Sequence, residues 1–295
     1  MSTFELKKGS TRLLLADPTA PEPYYRGTRF DRTGVILSLE SAGHSFVGQW
    51  FLKYDPYMHD AVSGPSEEFT QIGYEDAKTG DTFLKIGVGV LRRDDAAYDR
   101  FHLYEIADAG EMTVEHDESS ATFRHLLKGI YDYSKKVEIP ADGRLRITHG
   151  LQNLTDRDLE CYVYCHNFFV LDGAFTGVGT RLEFPFRPAG DWRAEYDCVG
   201  LTGKGIAFSR NLREGESVFM GNLHPEKNEF DTGMAFSLSN TEKCLKVNGT
   251  CDRAADYSVF WANHEVACIE PYIPLRIPSG SIARWTLEYD FLISF

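Results

Sequence analysis

Apolar and polar residues alternate with a period of two in several stretches of this chain, and few stretches place apolar residues at helical spacing. A period of two is typical of β-strands, in which successive side chains point to opposite faces of a sheet. The aromatic content agrees, because 20 Phe and 15 Tyr suit a pleated, half-buried surface. The predicted strands cover residues 35–39, 82–90, 101–106, 111–115, 145–149 and 161–166.

Turn-forming residues separate some of these strands, and only residues 74–78 and 122–127 suggest short helical turns. No linker, charge block, low-complexity tract or fixed-period repeat marks a domain boundary in the sequence. We therefore expect one domain over residues 1–295. Many antiparallel strands at this length are typical of two large packed sheets, one of which can hold a ligand on a concave face. The predicted fold class is an all-β sandwich.

Composition and charge limit the classes of molecule that a protein with such a fold can bind. The 295 residues are 42% hydrophobic and 25% charged, which is ordinary for a protein with a packed core. Lysine and arginine number 31 against 44 aspartates and glutamates, a net charge of −13, and such a surface repels nucleic acid and anionic membranes. The apolar stretches are shorter than the roughly 20 residues that span a bilayer. We expect a small-molecule partner and neither nucleic acid nor membrane.

Two features predict a cytoplasmic protein. The N-terminal residues place an acid before two lysines and reach no cleavable apolar segment. The cysteines show no spacing typical of a metal site, and we interpret all of them as buried free thiols in a reducing compartment. They stand at positions 161, 165, 198, 244, 251 and 268.

The predicted strand at 161–166 contains the first candidate for chemistry. In an extended strand Tyr162, Tyr164 and His166 point to one face, whereas Cys165 and Asn167 point to the other. His166 therefore shares a sheet face with two phenols. From these residues alone, His166 is either a hydrogen-bonded core histidine or a proton donor in a site.

Glu270 is the second candidate, because it follows the apolar residues 266–269. A buried and unpaired carboxylate is costly, so such a glutamate needs partners, or it has a raised pKa and a chemical task. The alternative is a glutamate at a strand end in solvent.

The two candidates stand in runs that carry a resemblance. His166 lies in YCHNFFVLDG, and Glu270 lies in ACIEPYIPLRIPSGSIARWTLEYDF. The first run resembles the NH-x-YFNL-x-G strand of aldose 1-epimerases, and the second, which follows in the same order, resembles their closing segment. The resemblance extends from about Tyr25 to Phe295. It implies a galactose-mutarotase-like β-sandwich in which Glu270 is the general base and His166 the general acid.

The reaction that the resemblance implies needs one base and one acid. A proton leaves the anomeric hydroxyl while the ring oxygen is protonated, the ring opens, the bond between C1 and C2 rotates, and the aldehyde recloses on its other face. A partly desolvated glutamate and a histidine suit these two proton transfers. Neither a metal ion nor an organic cofactor is required.

The sequence departs from galactose mutarotases near its start, where it is closer to hexose-6-phosphate mutarotases. It has no LHGG turn with a second histidine, and no counterpart of their sugar-binding aspartate. His59 could replace that histidine, and the alternative is a solvated loop histidine. The other substrate contacts that we expect are Arg26, Arg29, Glu67, Glu68, Lys85, Tyr164 and Asn167.

Arg26 and Arg29 flank Gly27 and could grip a phosphate or a uronate by forked hydrogen bonds, or they could simply pair with surface acids. The leading hypothesis is an aldose 1-epimerase-like enzyme acting on a sugar or sugar acid. The alternatives are a catalytically silent carbohydrate-binding protein on the same scaffold, and another sugar isomerase or lyase with the same pair. Convergence of His166 and Glu270 on one open hollow favours an enzyme, and their separation favours a binder.

Overall fold

The structure is a computed structural model that describes residues 2–193, 197–226 and 235–293. Within these ranges 23 strands form and no helix does. The first twelve strands are β1 Thr3–Lys8, β2 Thr11–Ala16, β3 Ile36–Ser41, β4 His44–Val47, β5 Ser66–Phe69, β6 Thr82–Lys85, β7 Gly89–Arg92, β8 Ile106–Asp108, β9 Glu111–His116, β10 Ser120–Leu127, β11 Tyr131–Glu138 and β12 Arg144–Asn153. The others are β13 Leu159–His166, β14 Thr180–Glu183, β15 Pro188–Trp192, β16 Val199–Thr202, β17 Gly205–Phe208, β18 Ser217–Pro225, β19 Ala235–Asn240, β20 Leu245–Cys251, β21 Tyr257–Asn263, β22 Ala267–Ile277 and β23 Ile282–Ile293.

The strands assemble into two large sheets and two small ones. A ten-stranded sheet has the order β16-β17-β14-β19-β20-β23-β12-β11-β10-β9, and a six-stranded sheet has the order β15-β18-β21-β22-β13-β5. The small sheets are β1-β2-β3-β4 and β6-β7-β8. The ladders of the two large sheets are antiparallel. The predicted all-β, mostly antiparallel class is therefore confirmed, while the assignment of one domain stays a prediction.

The two large sheets pack face to face around the main hydrophobic core. Residues of β11 alternate between buried and half-buried along the whole strand, as expected when one face packs and the other meets solvent. Phe69 of β5 meets Tyr133 of β11 and Trp285 of β23, with ring centroids 5.4 and 6.2 Å apart. These edge-to-face contacts join the inner faces of the two sheets.

The six-stranded sheet is covered on both faces near its middle. Residues 267–273 of β22 are all buried, although only every second one can face the main core. The others face a second apolar cluster that includes Phe168, Val170 and Cys268. A polar side chain on this outer face is therefore shielded from bulk water without entering the main core.

Three local predictions are wrong. Residues 82–90 form two strands instead of one, because the chain turns at Gly87, whose φ of +77° is a glycine conformation. Of residues 101–106 only Ile106 lies in a strand, and residues 122–127 belong to β10. By contrast, residues 74–76 form a turn in which the Ala77 N–H donates to the Gly73 carbonyl at 3.1 Å, the hydrogen-bond spacing of one helical turn.

The cysteine prediction holds in part, since all six thiols are free and five are buried, but Cys244 is exposed. None of the described segments forms a helix with the length and apolar character to cross a bilayer.

Candidate active site

Three neighbouring strands of the six-stranded sheet, β5, β13 and β22, carry the centre of the site. Tyr164 of β13 lies opposite both Glu68 of β5 and Tyr272 of β22. Because side chains alternate along each strand, His166 and Glu270 point to the same outer face as Tyr164. The face that the sequence predicts for Tyr164 and His166 is thus confirmed.

The ladder between β13 and β22 is interrupted at the site. Regular pairing stops two residues before His166 and resumes in the same register beyond it. Within the gap Pro271 has no N–H to donate, and the Asn167 side chain donates to the carbonyl of Ile269 at 2.7 Å. Because the register is the same on both sides of the gap, His166 lies directly opposite Glu270.

His166 lies between two carboxylates. Its Nε2 bonds Glu68 Oε2 at 3.1 Å, and its Nδ1 is 3.0 Å from Glu270 Oε1. An ionised carboxylate can only accept, so Glu68 keeps a proton on Nε2. The approach of Nδ1 to Glu270 lacks hydrogen-bond angles, and this buried nitrogen makes no hydrogen bond within the described part of the chain.

Two cations hold Glu68 in its ionised form. Arg29 Nε lies 2.7 Å from Glu68 Oε2, and Lys85 Nζ lies 3.3 Å from Oε1. Burial alone would raise the pKa of Glu68, but the charges of Arg29 and Lys85 and the hydrogen bond from His166 outweigh it and hold that pKa well below its usual value. Glu68 is therefore an anion that orients the imidazole.

The outer face opens into a cavity of about 990 Å³ that reaches His166 and Glu270. Its volume is at the upper end of the roughly 300–1,000 Å³ that ligand pockets occupy. One wall is aromatic: the ring centroid of Trp50 lies 4.9 Å from that of Phe168 and 5.7 Å from that of Trp261. Flat rings beside a carboxylate and an imidazole are suited to a ligand with both C–H faces and hydroxyl groups.

Cationic and polar groups line another part of the cavity. Arg100 Nη1 donates to the Tyr164 hydroxyl at 3.2 Å, and the Arg193 guanidinium lies over the Phe219 ring at 5.1 Å. His59 also lines the cavity, and partial burial lowers its pKa. The lining of the cavity thus combines hydrogen-bond donors with aromatic rings.

A close backbone contact fixes the end of β13. A Cβ added to Gly64 would lie 2.5 Å from the His166 carbonyl oxygen and 2.3 Å from the Phe168 nitrogen. No side chain fits in that space, which explains the glycine. The segment that precedes β5 therefore packs directly on the backbone of His166.

Most of the residues that the sequence singles out meet here. The cavity wall includes His166, Glu270, Arg29 and His59. Buried directly behind it lie Glu68, Lys85 and Tyr164. These three act on the side chains that face the cavity, and they support the wall without forming it.

The sequence predicts Glu67 and Asn167 as substrate contacts, but both point to the core face. Glu67 is fully buried there, with Oε1 3.0 Å from His149 Nε2. Asn167 Oδ1 accepts a hydrogen bond from the Tyr289 hydroxyl at 2.7 Å. The strand period explains both corrections, because a neighbour of an outward-facing residue must face inward.

Arg26 also lies outside the cavity wall. Its guanidinium packs on the Tyr57 ring at 4.8 Å, and its Nε is buried without a hydrogen-bond partner among the described residues. The joint grip of Arg26 and Arg29 on an anion does not form, since Arg29 pairs with Glu68 instead.

Sequence reasoning misses Arg100, Arg193, Trp50 and Trp261. They come from distant parts of the chain, and only the sheet order and the loops bring them to one cavity. None stands in a recognisable motif. A tryptophan in the loop that follows β4 is the one signal that could have marked Trp50.

Cys268 lies below Glu270 on the same face of β22. Its Sγ donates a hydrogen bond to Glu270 Oε1 at 3.6 Å. The sulfur, a ring nitrogen of His166 and a carboxylate oxygen of Glu270 lie within 4.8 Å of one another, the one such group of potential metal ligands in the described ranges. These three side chains could hold a metal ion.

Comparison with known proteins identifies the fold. No family model matches the sequence, and no curated protein matches it either. Solved structures do match. A galactose mutarotase-like protein from Clostridium acetobutylicum has a TM-score of 0.57 at 14% identity, over 98% of this chain and 94% of that one.

Two further structures agree. A galactose mutarotase-like protein from Lactobacillus casei has a TM-score of 0.55 at 11% identity, over 99% of this chain and 100% of that one. The GalM/aldose epimerase homologue from C. elegans has a TM-score of 0.52 at 11% identity, over 100% and 99%. The chain therefore has a galactose-mutarotase-like β-sandwich fold, as the resemblance implies. At these identities the likeness concerns the fold alone.

Proposed function

We propose that the protein is an aldose 1-epimerase-like isomerase that interconverts the anomers of a sugar or sugar acid. The observation that carries this proposal is the 3.0 Å approach of His166 Nδ1 to Glu270 Oε1 at the wall of an open cavity. The anomeric hydroxyl and the ring oxygen are bonded to the same carbon, so an acid and a base that serve both must be neighbours. His166 and Glu270 are such neighbours.

Glu270 is the base in this mechanism. Its carboxylate takes the proton of the anomeric hydroxyl as the bond between C1 and the ring oxygen breaks, and it returns that proton when the ring recloses on the other face of the aldehyde. A base acts efficiently when it is held within hydrogen-bond reach and partly desolvated. Glu270 is only 6% exposed, and it borders the cavity.

His166 is the acid. In its imidazolium form both ring nitrogens carry protons, and the Nε2 proton is held by Glu68 at 3.1 Å. The Nδ1 proton is therefore the one that moves to the ring oxygen, and it comes back on closure. The anionic Glu68 stabilises the imidazolium and fixes the ring plane, while Arg29 and Lys85 balance the charge of Glu68 itself.

The cavity wall supplies the binding groups. The rings of Trp50, Phe168 and Trp261 offer flat surfaces to the C–H faces of a pyranose, and Arg100 and His59 offer donors to its hydroxyl groups. Neither set contributes to proton transfer. Both would hold C1 and the ring oxygen near His166 and Glu270, which is how orientation lowers the barrier.

Anomer exchange, measured by polarimetry or NMR over a panel of hexoses, pentoses, uronates and sugar phosphates, tests the proposal. The expected result is faster exchange of at least one freshly dissolved anomer with the protein than without it. Binding of a sugar with no acceleration for any panel member would contradict the proposal and favour the carbohydrate-binding alternative. Exchange that is slow while another sugar product accumulates would favour a different isomerase or lyase.

A further inference from the structure

Buried beside the cavity wall is an arrangement that acid–base chemistry does not require. A mutarotase needs a glutamate and a histidine, yet here a thiol lies on the same strand face as the glutamate, two residues earlier. Cys268 is fully buried, and its sulfur is 3.6 Å from Glu270 Oε1.

Two separations among the three ligand atoms are close to those that a small divalent cation requires. Bonds of about 2.0–2.3 Å from zinc to nitrogen, oxygen and sulfur at tetrahedral angles place the ligand atoms about 3.3–3.6 Å apart. The observed separations are 3.0 Å from His166 Nδ1 to Glu270 Oε1 and 3.6 Å from Cys268 Sγ to the same oxygen. The sulfur and the ring nitrogen lie within 4.8 Å of each other, so a side-chain shift of at most about 1 Å would complete the geometry.

The hydrogen bond at the other ring nitrogen of His166 is also one that a metal-binding histidine makes. Histidine ligands usually donate their other ring N–H to a carboxylate, which fixes the tautomer and raises ligand basicity. Glu68 does this for Nε2 of His166. In neutral His166 the lone pair is therefore on Nδ1, the buried nitrogen that makes no hydrogen bond within the described residues.

Charge balance is consistent with a divalent ion. A Cys268 thiolate and the Glu270 carboxylate supply two negative charges, while the charge of Glu68 is already balanced by Arg29 and Lys85. Thiolate with imidazole favours zinc over the hard cations magnesium and calcium. Three protein ligands leave the fourth position open towards the cavity.

We propose that His166 Nδ1, Cys268 Sγ and Glu270 Oε1 form a binding site for a thiophilic divalent cation such as Zn²⁺, and that the bound ion blocks sugar turnover. On binding, one bond forms from each ligand atom to the metal, and the thiol proton leaves to solvent. The inhibitory part rests on the proposed function, since the ion occupies the lone pairs that the acid and the base use. The binding part does not depend on it.

Cobalt binding tests the site without any sugar. Metal-free protein is titrated with Co²⁺, whose thiolate complexes show a charge-transfer band in the near ultraviolet, and the cobalt is then displaced with Zn²⁺. We expect one equivalent with that band in the wild type. In Cys268→Ala the band should be absent and zinc affinity lower by more than about 100-fold, since even the loss of an outer partner costs roughly 10–100-fold.

Cys244→Ser is the matched control, because Cys244 is the exposed thiol and the obvious place for adventitious metal. It should keep the band and the affinity. The site is ruled out if Cys268→Ala keeps the wild-type spectrum, if Cys244→Ser loses it, or if stoichiometric Co²⁺ gives no band in the wild type. Should Cys268→Ala fail to fold, as judged by circular dichroism, His166→Asn answers the same question through the loss of affinity.

Zinc inhibition tests the second part. Anomer exchange by the wild type and by Cys244→Ser should fall with added Zn²⁺ and recover with a chelator, whereas Cys268→Ala should keep its own rate. Equal inhibition of Cys268→Ala would overturn the inhibitory role. A protein that binds cobalt through Cys268 but turns over no sugar would uphold the metal site and count against the proposed function alone.

Discussion

Glu67 and Glu68 are adjacent on β5, yet they belong to two clusters on opposite faces of the six-stranded sheet. Both clusters combine buried carboxylates with a lysine and a histidine. The cavity cluster is Arg29, Glu68, Lys85, His166 and Glu270. The interior cluster is Asp31, Glu67, Tyr133, Lys135 and His149.

The groups of the interior cluster are enclosed. His149 stacks on Trp285 with ring centroids 4.6 Å apart, and its Nε2 is 3.0 Å from Glu67 Oε1. Lys135 pairs with both Glu67 and Asp31. A void of about 10 Å³ borders Glu67, which is at most room for one water molecule. No sugar could reach these groups.

The two clusters show that a shifted pKa does not by itself mark a catalytic group. Burial would raise the pKa of Glu67, but Lys135 and His149 outweigh it and hold that pKa at about 2. Arg29 and Lys85 act on Glu68 in the same direction. What separates the clusters is access, because only the cavity cluster places a carboxylate and an imidazole beside an open volume.

The largest effect is expected for Glu270→Gln, which keeps the shape of the side chain but cannot take a proton. Anomer exchange should fall towards the upper end of the roughly 10²- to 10⁴-fold range of acid–base catalysis, with the melting temperature unchanged. Glu265→Gln, a nearby glutamate outside the cavity wall, is the control and should keep full turnover. Wild-type exchange by folded Glu270→Gln would remove the base from the mechanism.

His166→Asn and His149→Asn compare the two histidines directly. His166→Asn should lower turnover by about 10²-fold and sugar affinity much less, because the acid acts mainly in the transition state. His149→Asn should instead destabilise the protein and leave the turnover of the folded fraction intact. Steady-state kinetics with denaturant unfolding measures both. Similar profiles for the two variants would contradict the division between an open and an enclosed cluster.

Glu67→Gln should act on stability alone. It leaves Lys135 without its main partner, so the free energy of unfolding at neutral pH should fall by about 3 kcal/mol. The folded pKa of about 2 lies below the unfolded value of about 4.3. The stabilisation by Glu67 is therefore present above about pH 4.3 and is lost as the pH falls through about 2.

Denaturant unfolding of wild type and Glu67→Gln between pH 2 and pH 7 measures this prediction. The difference between the two proteins should shrink steadily below about pH 4.3. A difference that is constant with pH would show that the Glu67 carboxylate is not held by the cations around it.

Much of the fold and the two residues of the proposed catalytic pair could be predicted from local pattern. Alternation predicts strands and places Tyr164 and His166 on one face, and a glutamate after apolar residues marks Glu270. Their meeting could not be predicted, because it depends on the register of β13 against β22 across the gap at Pro271. Spacing along the chain carries no information on a cross-strand register.

The wrong sequence-based predictions have the same origin, because they too depend on how distant parts of the chain pair. Glu67 and Glu68 are indistinguishable as two adjacent acids, and only the pairing of β5 with β13 decides which one lies on the cavity side of the sheet. Residues 82–90 alternate like one strand, but tertiary structure decides that the chain turns at Gly87. Arg100 and Trp50 come from loops, where no period indicates which side chains converge.

The smallest expected effect is on the preference of the cavity for an anionic ligand over a neutral one. Arg29 and Lys85 are already paired with Glu68, so they add little net positive charge to the cavity. Arg100 and Arg193 line it, and within the described ranges neither forms an ion pair with a carboxylate. Arg100 donates to the phenol of Tyr164, whose pKa burial raises well above its usual value.

We therefore expect Arg100 and Arg193 to hold an anionic ligand. They replace Arg26 and Arg29, which the sequence predicts as the residues that bind the anionic group. In an Arg100→Ala, Arg193→Ala double variant, the preference for a uronate or sugar phosphate over the neutral sugar should fall by about 10-fold, or about 1.4 kcal/mol. Arg26→Ala, outside the cavity wall, should leave that preference unchanged. Calorimetric affinities for a matched neutral and anionic pair measure it at low salt, where screening is weak. A preference that survives the double change, or that follows Arg26, would mean that the cationic part of the cavity does not select the ligand.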